Sequence, residues 1–310
     1  MGYLFLAAAL LCGVTKGYCG KRSSGYVTEF RDSMLINLIR MLLCILFGCA
    51  MLGFGGSFAS LAVSGEMLLV TAVSGITTSV FVITWLLSVR RGAYMFVDVF
   101  LMLGVMIAIL LSWGFFGEAV TLRQGIGFVI LVGAVILMCS YQRSVKGSVT
   151  VGAILLLVLC GASTGLTDFS QKWFVNRFSE VPVAVFQFYT YLFSAITLLI
   201  FYVTLGLIER KRTTRGAEIS ESAHRRTLRE KLPPALLGYI FVMALCLYLH
   251  SFFKTKAAGL LTATQLYPLN QGGALLLSTV MAAVCFHEKP RASSVIGLLL
   301  AFAALLLINL

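Results

Sequence analysis

Phe116-Gly117-Glu118 is followed, nine residues after the glutamate, by Gly127 and then by an apolar run to Met138. Phe286-His287-Glu288 repeats the arrangement, with Gly297 nine residues on and an apolar run to Ile308. In both places a long apolar segment ends at the motif. In both, the next helix opens with a few polar residues and a glycine. The two glutamates lie 170 residues apart in a chain of 310, which marks an internal duplication.

Composition sets the class. The chain is 59% hydrophobic and only 12% charged, against about 25% charged in soluble domains. So much apolar surface requires a polytopic membrane protein. The apolar segments are continuous rather than alternating, so they read as helices and not as barrel strands. Backbone groups inside a bilayer must bond within their own element, which again selects helices. Net charge is +12. The basic residues fall mostly in short connections, where they set orientation and meet anionic headgroups; nucleic acid is not an expected partner. Eight cysteines are scattered without a C-x-x-C pair and read as small buried hydrophobes. The N-terminus lacks the basic start of a secretory signal and reads as the first span.

Ten spans follow, at about 3–19, 34–54, 67–88, 94–115, 123–141, 149–174, 183–207, 235–255, 261–286 and 292–309. They form two five-helix units, 1–142 and 149–310, with a basic loop at 208–233 inside the second. Gly13 and Gly17 on the first span have the close-approach spacing that Gly161 and Gly165 repeat on the sixth. Matching the units sets Asn37 against Gln187, Asp98 against Pro268 and Glu118 against Glu288. Five is odd, so the second unit enters the membrane from the opposite side. Such inverted-topology repeats are a transporter signature, with a substrate site between them near the midplane.

Ten spans in two halves, each closing with G/H-E-x8-G before its last helix, resemble the drug/metabolite transporter superfamily, EamA-like branch. The resemblance covers nearly the whole chain and rests most on 94–141 and 261–309. It implies a ten-helix inverted repeat in the cell membrane that exports or exchanges small polar metabolites by alternating access without ATP. Asp98 departs from it, since the family often has there the proline seen at Pro268.

Ionisable residues within spans are functional candidates. Arg40 and Asp98 reach similar depth and read as a substrate-carboxylate contact and its partner or a proton carrier; a static ion pair or separate snorkelling is the alternative. Gln187, Gln265, Tyr267, Asn270 and Gln271 make an uncharged cradle beside Pro268, whose ring leaves the carbonyl at 264 without a helical partner. Interhelical hydrogen bonding would use the same residues. Asp168 with Lys172, and His250 with Lys254, are i, i+4 pairs near the ends of even-numbered spans. They read as a gate on the other side, or as interfacial anchors. Glu118 and Glu288 read as caps on the helices that follow them. Trp85, Trp113 and Trp173 read as an interfacial belt.

The three histidines lie in unrelated segments, so no metal site or other cofactor is expected. No H-E-x-x-H or G-x-S-x-G supports a membrane-embedded enzyme. That enzyme and a non-transporting structural bundle are the alternatives to a transporter. Expected partners are a small-molecule solute and anionic lipid, with a homodimer left open. Orientation divides the two lines of reasoning. Odd-numbered connections hold 18 Lys or Arg and even-numbered ones 5, which places the odd side and loop 208–233 in the cytoplasm and both termini outside. The resemblance implies the reverse.

Overall fold

The structure is a computed structural model that describes residues 1–27, 30–55, 58–91, 94–140, 151–214, 232–287 and 292–309. The described residues form ten α-helices: α1 Gly2–Ser24, α2 Phe30–Phe54, α3 Gly65–Arg91, α4 Tyr94–Phe116, α5 Leu122–Ser140, α6 Val151–Arg177, α7 Val183–Thr214, α8 Pro234–Ala258, α9 Ala263–Phe286 and α10 Ala292–Asn309. No strand occurs among the described residues. Seven helices (α1, α2, α3, α6, α7, α8 and α9) are long and apolar enough to cross a bilayer. The other three carry shorter apolar stretches, Phe100–Phe116, Leu122–Ala134 and Val295–Ile308. Leucine, isoleucine and valine side chains such as Leu46, Leu69, Ile200 and Leu299 stay exposed on the outer faces. That is the surface of a multi-pass membrane protein, where lipid replaces water against the helices.

Several helices outrun the apolar segments that predict them. α1 continues to Ser24, so Lys21 and Arg22 lie on its last turn rather than in a loop. Both sit over the Phe286 ring, at 4.3 and 5.2 Å from its centroid. Lys16, one of the 18 basic residues assigned to odd-numbered connections although the first span runs to about 19, is inside α1. α7 continues to Thr214, into the segment read as a basic loop; 215–231 lies outside the described residues. α9 runs through Pro268 as one helix, in keeping with the single span at 261–286.

The duplicated motif has a backbone reason. α4 ends at Phe116 with Gly117 at φ 67°, and α9 ends at Phe286 with His287 at φ 53°. Both middle residues adopt the left-handed conformation that terminates a helix. Gly117 N–H donates to Trp113 O at 3.0 Å, closing the last turn. The next starts are also written in sequence. Thr121 and Gln124 form a reciprocal capping box on α5, with Thr121 N–H donating to Gln124 Oε1 at 2.9 Å. Thr262 and Gln265 do the same for α9.

Helix pairing follows one rule. α1 packs on α8 and α3 on α6; α2 on α8 and α3 on α7; α1 on α9 and α4 on α6. The pairs α1/α3, α2/α3, α3/α4 and α4/α5 are matched by α6/α8, α7/α8, α8/α9 and α9/α10. The other principal pairs are α2/α7, α4/α9 and α5/α10. Shifting every helix number by five returns the same set. Asn37 and Gln187, matched in the sequence, fit this exchange. Asn37 Nδ2 donates to Val82 O on α3 at 3.2 Å, and Gln187 Nε2 to Thr255 Oγ1 on α8 at 3.1 Å. The α4/α6 crossing is tight because glycine meets glycine. A Cβ on Gly161 would lie 2.7 Å from Phe100 O, and Gly104 faces both Gly161 and Gly165.

Candidate functional site

A cavity of about 90 Å³ lies inside the bundle, lined by seven helices drawn from both halves of the chain. α6 supplies Thr164, Thr167, Asp168 and Gln171, which share one face at i, i+3, i+4 and i+7. α8 supplies His250, Ser251 and Lys254, and α9 supplies Asn270 and Gln271. α1 adds Lys16 between Gly13 and Gly17, and α3 and α7 add Thr78, Trp85, Thr190 and Tyr191.

The charged centre is an ion pair. Lys254 Nζ donates to Asp168 Oδ1 at 2.5 Å, and both side chains are buried. Asp168 Oδ2, Gln171 Oε1 and Asn270 Oδ1 have no hydrogen-bond partner among the described residues. Buried acceptors without partners are costly, and here three belong to side chains around one cavity. Tyr267 lies behind this wall and donates its hydroxyl to the Asp168 carbonyl at 2.6 Å, fixing the α6 backbone against α9. Gln171 Nε2 donates to Ser251 Oγ at 3.0 Å. His250 Nδ1 is 2.7 Å from Ala9 O. A carbonyl only accepts, so that nitrogen carries the proton. Gly13 makes room for this ring, since a Cβ there would lie 3.1 Å from His250 Nδ1.

One helical turn beyond Asp168, Lys172 closes a second polar cluster. Its Nζ is 2.8 Å from Glu118 Oε1 and donates to Ala258 O at 3.2 Å and Leu261 O at 2.9 Å. Glu118 Oε2 accepts from the Ala263 N–H at 2.8 Å. One carboxylate thus ties the end of α4 to α6 and to the first N–H of α9, where the helix dipole favours negative charge.

Several expectations change. Glu118 caps α9, in the other half, and not α5, whose start is closed by Thr121 and Gln124. Glu288 lies outside the described residues. Lys172 and Lys254 are buried and paired, so they are not interfacial anchors. Gln265 closes the α9 capping box and Gln187 holds Thr255; neither lines the cavity, whereas Asn270 and Gln271 do. Trp85 is buried against the cavity and is no part of a belt, while Trp113 is exposed. Arg40 is buried on α2, outside the cavity lining, and the side chain of Asp98 lies outside the described residues. Lys16, Thr167, Gln171 and Ser251 are lining residues that sequence reasoning passed over. The four polar residues on one face of α6 were the available signal.

No family model matches the chain, and no curated protein matches it. Solved structures do. One, described only as the crystal structure of a protein, aligns with a TM-score of 0.63 at 18% identity, over 99% of this chain and 97% of its own. At that identity the likeness establishes a shared helical architecture. The chain is therefore an all-helical, multi-pass membrane protein with a buried polar centre.

Proposed function

We propose that this protein is a secondary transporter that moves a small polar solute across the cell membrane by alternating access, as export or exchange without ATP. The observation that carries the reading is the cavity, where an Asp168–Lys254 ion pair and three buried acceptors without partners sit within an apolar bundle. Asp168 is about 14 Å along α6 from its nearer end, too deep to be a headgroup contact. Charges that deep are retained where a solute or ion path needs them. We take 1–142 and 149–310 as two inverted five-helix repeats, a reading supported by the helix pairing that survives a shift of five. A site at the repeat interface, with lining from both halves, is the arrangement alternating access requires. The resemblance to the drug/metabolite transporters points the same way.

The test is flux. Purified protein in liposomes is compared with empty liposomes for release of a metabolite mixture under an imposed solute gradient. Protein-dependent, saturable movement of one solute class supports transport. Chemical turnover without movement would instead mark a membrane-embedded enzyme.

A further inference from the structure

Arg40 is ten residues into α2, about 15 Å from the start of that helix, and only 2% exposed. Among the described residues its Nε and Nη1 have no hydrogen-bond partner and no carboxylate reaches it. A guanidinium stays charged at neutral pH. With no anion beside it among the described residues, it is among the costliest groups a membrane protein can carry.

Its surroundings are polar along one line. Ser33, Asn37, Arg40 and Cys44 follow each other at i, i+4, i+7 and i+11 on the buried face of α2. Ser33 Oγ and Asn37 Oδ1 also lack partners. Toward the bundle, the electrostatic neighbours of Arg40 are Cys44 and Tyr191. Cys44 Sγ is occupied, donating to Ala244 O at 3.4 Å. Tyr191 also lines the central cavity, with its hydroxyl 3.4 Å from Leu247 O. The hydroxyl also hydrogen-bonds with Ser251 of the cavity wall, so Tyr191 lies between the guanidinium and the cavity.

We infer that Arg40 is the receiving group of a buried oxyanion subsite behind Tyr191, and that the solute carried by this protein bears a carboxylate or phosphate. The second half rests on the transport reading above; the subsite itself does not. The chemistry follows from the fork of N–H donors that a guanidinium offers to a planar or tetrahedral oxyanion. Lys254 does not duplicate the role, since Asp168 already neutralises it.

The test is the melting temperature of the purified protein in lipid-free detergent. It is titrated with inorganic phosphate, and separately with formate, at ionic strength held constant with chloride. The expected result is a saturable rise in the wild type, a smaller rise in Arg40→Lys and none in Arg40→Gln. Arg40→Met, which removes the unpaired charge, melts at or above the wild type without oxyanion and guards against a folding failure. No oxyanion-specific rise in the wild type, or the same rise in Arg40→Gln, overturns the subsite. A rise with phosphatidylglycerol alone assigns the group to a lipid headgroup and overturns the claim about the solute. A rise lost in Arg40→Gln in a protein that moves nothing across liposomes keeps the subsite and removes the transport reading.

Discussion

Glu118 and Lys172, on opposite halves of the chain, meet at 2.8 Å, and the other oxygen of the same carboxylate holds the first N–H of α9. Glu118→Gln keeps an acceptor for Ala263 but leaves the buried Lys172 without its counter-charge. Breaking a buried pair from one side costs about 3–5 kcal/mol. Glu118 is partly exposed, so a loss of about 1–3 kcal/mol in thermal or denaturant unfolding is expected. The double variant Glu118→Gln, Lys172→Met is expected to lose less than the two single losses together, because the charges are coupled. Additive losses would mean that the two side chains do not stabilise one another.

Asp168 and Lys254 are expected to behave differently, because they face the cavity. Asp168→Asn and Lys254→Met each lower flux in proteoliposomes by tenfold or more while the protein still inserts. The double variant recovers much of the lost stability, since no unpaired charge remains, but does not recover flux. Wild-type flux from that double variant would assign the pair to structure alone.

Gly117 and His287 hold the same left-handed position at the ends of α4 and α9. A Cβ on Gly117 meets no other atom within 4 Å, so Gly117→Ala measures backbone strain without a clash. It is expected to cost about 1 kcal/mol, and His287→Gly to gain about the same or less, offset by glycine's larger entropy loss on folding. Both are read as changes in melting temperature. Equal and same-signed shifts would contradict the shared conformation.

The structure sharpens the charge argument on orientation. Lys16 belongs to a helix and the cavity, and Lys172 and Lys254 are buried ion-pair partners. Removing the first from the 18 and the other two from the 5 leaves 17 against 3 at the helix ends and in the connections. Glu180, exposed between α6 and α7, is on this count expected outside the cell. In a protein with its native cysteines replaced, Glu180→Cys is expected to react with an impermeant thiol reagent on intact cells, and Ser222→Cys only after lysis. The opposite pattern would place both termini inside.

The helix count and most boundaries were legible because lipid demands continuous apolar runs. The ends were less so at Ser24 and Thr214, since a helix continues past the bilayer wherever its polar residues still favour it. Lys16 was misplaced because it follows a long apolar stretch and is soon joined by Lys21 and Arg22, which do mark the edge. Gln265 stood in a legible Thr-x-x-Gln capping box, yet its polar neighbours Asn270 and Gln271 drew it into a cradle that only those two line. The partner of Glu118 could not be read from sequence, because Lys172 and Ala263 lie 54 and 145 residues away and nothing local encodes the meeting. Asn37 and Gln187 were matched as equivalents, and each now bonds to the helix that follows its own.

The clasp at the start of α9 also bears on the order of synthesis. Glu118 leaves the ribosome 145 residues before Ala263, and Lys172 leaves it 86 and 89 residues before the carbonyls of Ala258 and Leu261 that it holds. Chains fold from the N-terminal side as they are made. The turn between α8 and α9 therefore arrives last, at a carboxylate and an ammonium already in place. A nascent chain arrested just after Gly259 carries both charges but not the backbone N–H that the carboxylate holds, so the clasp closes only once α9 begins.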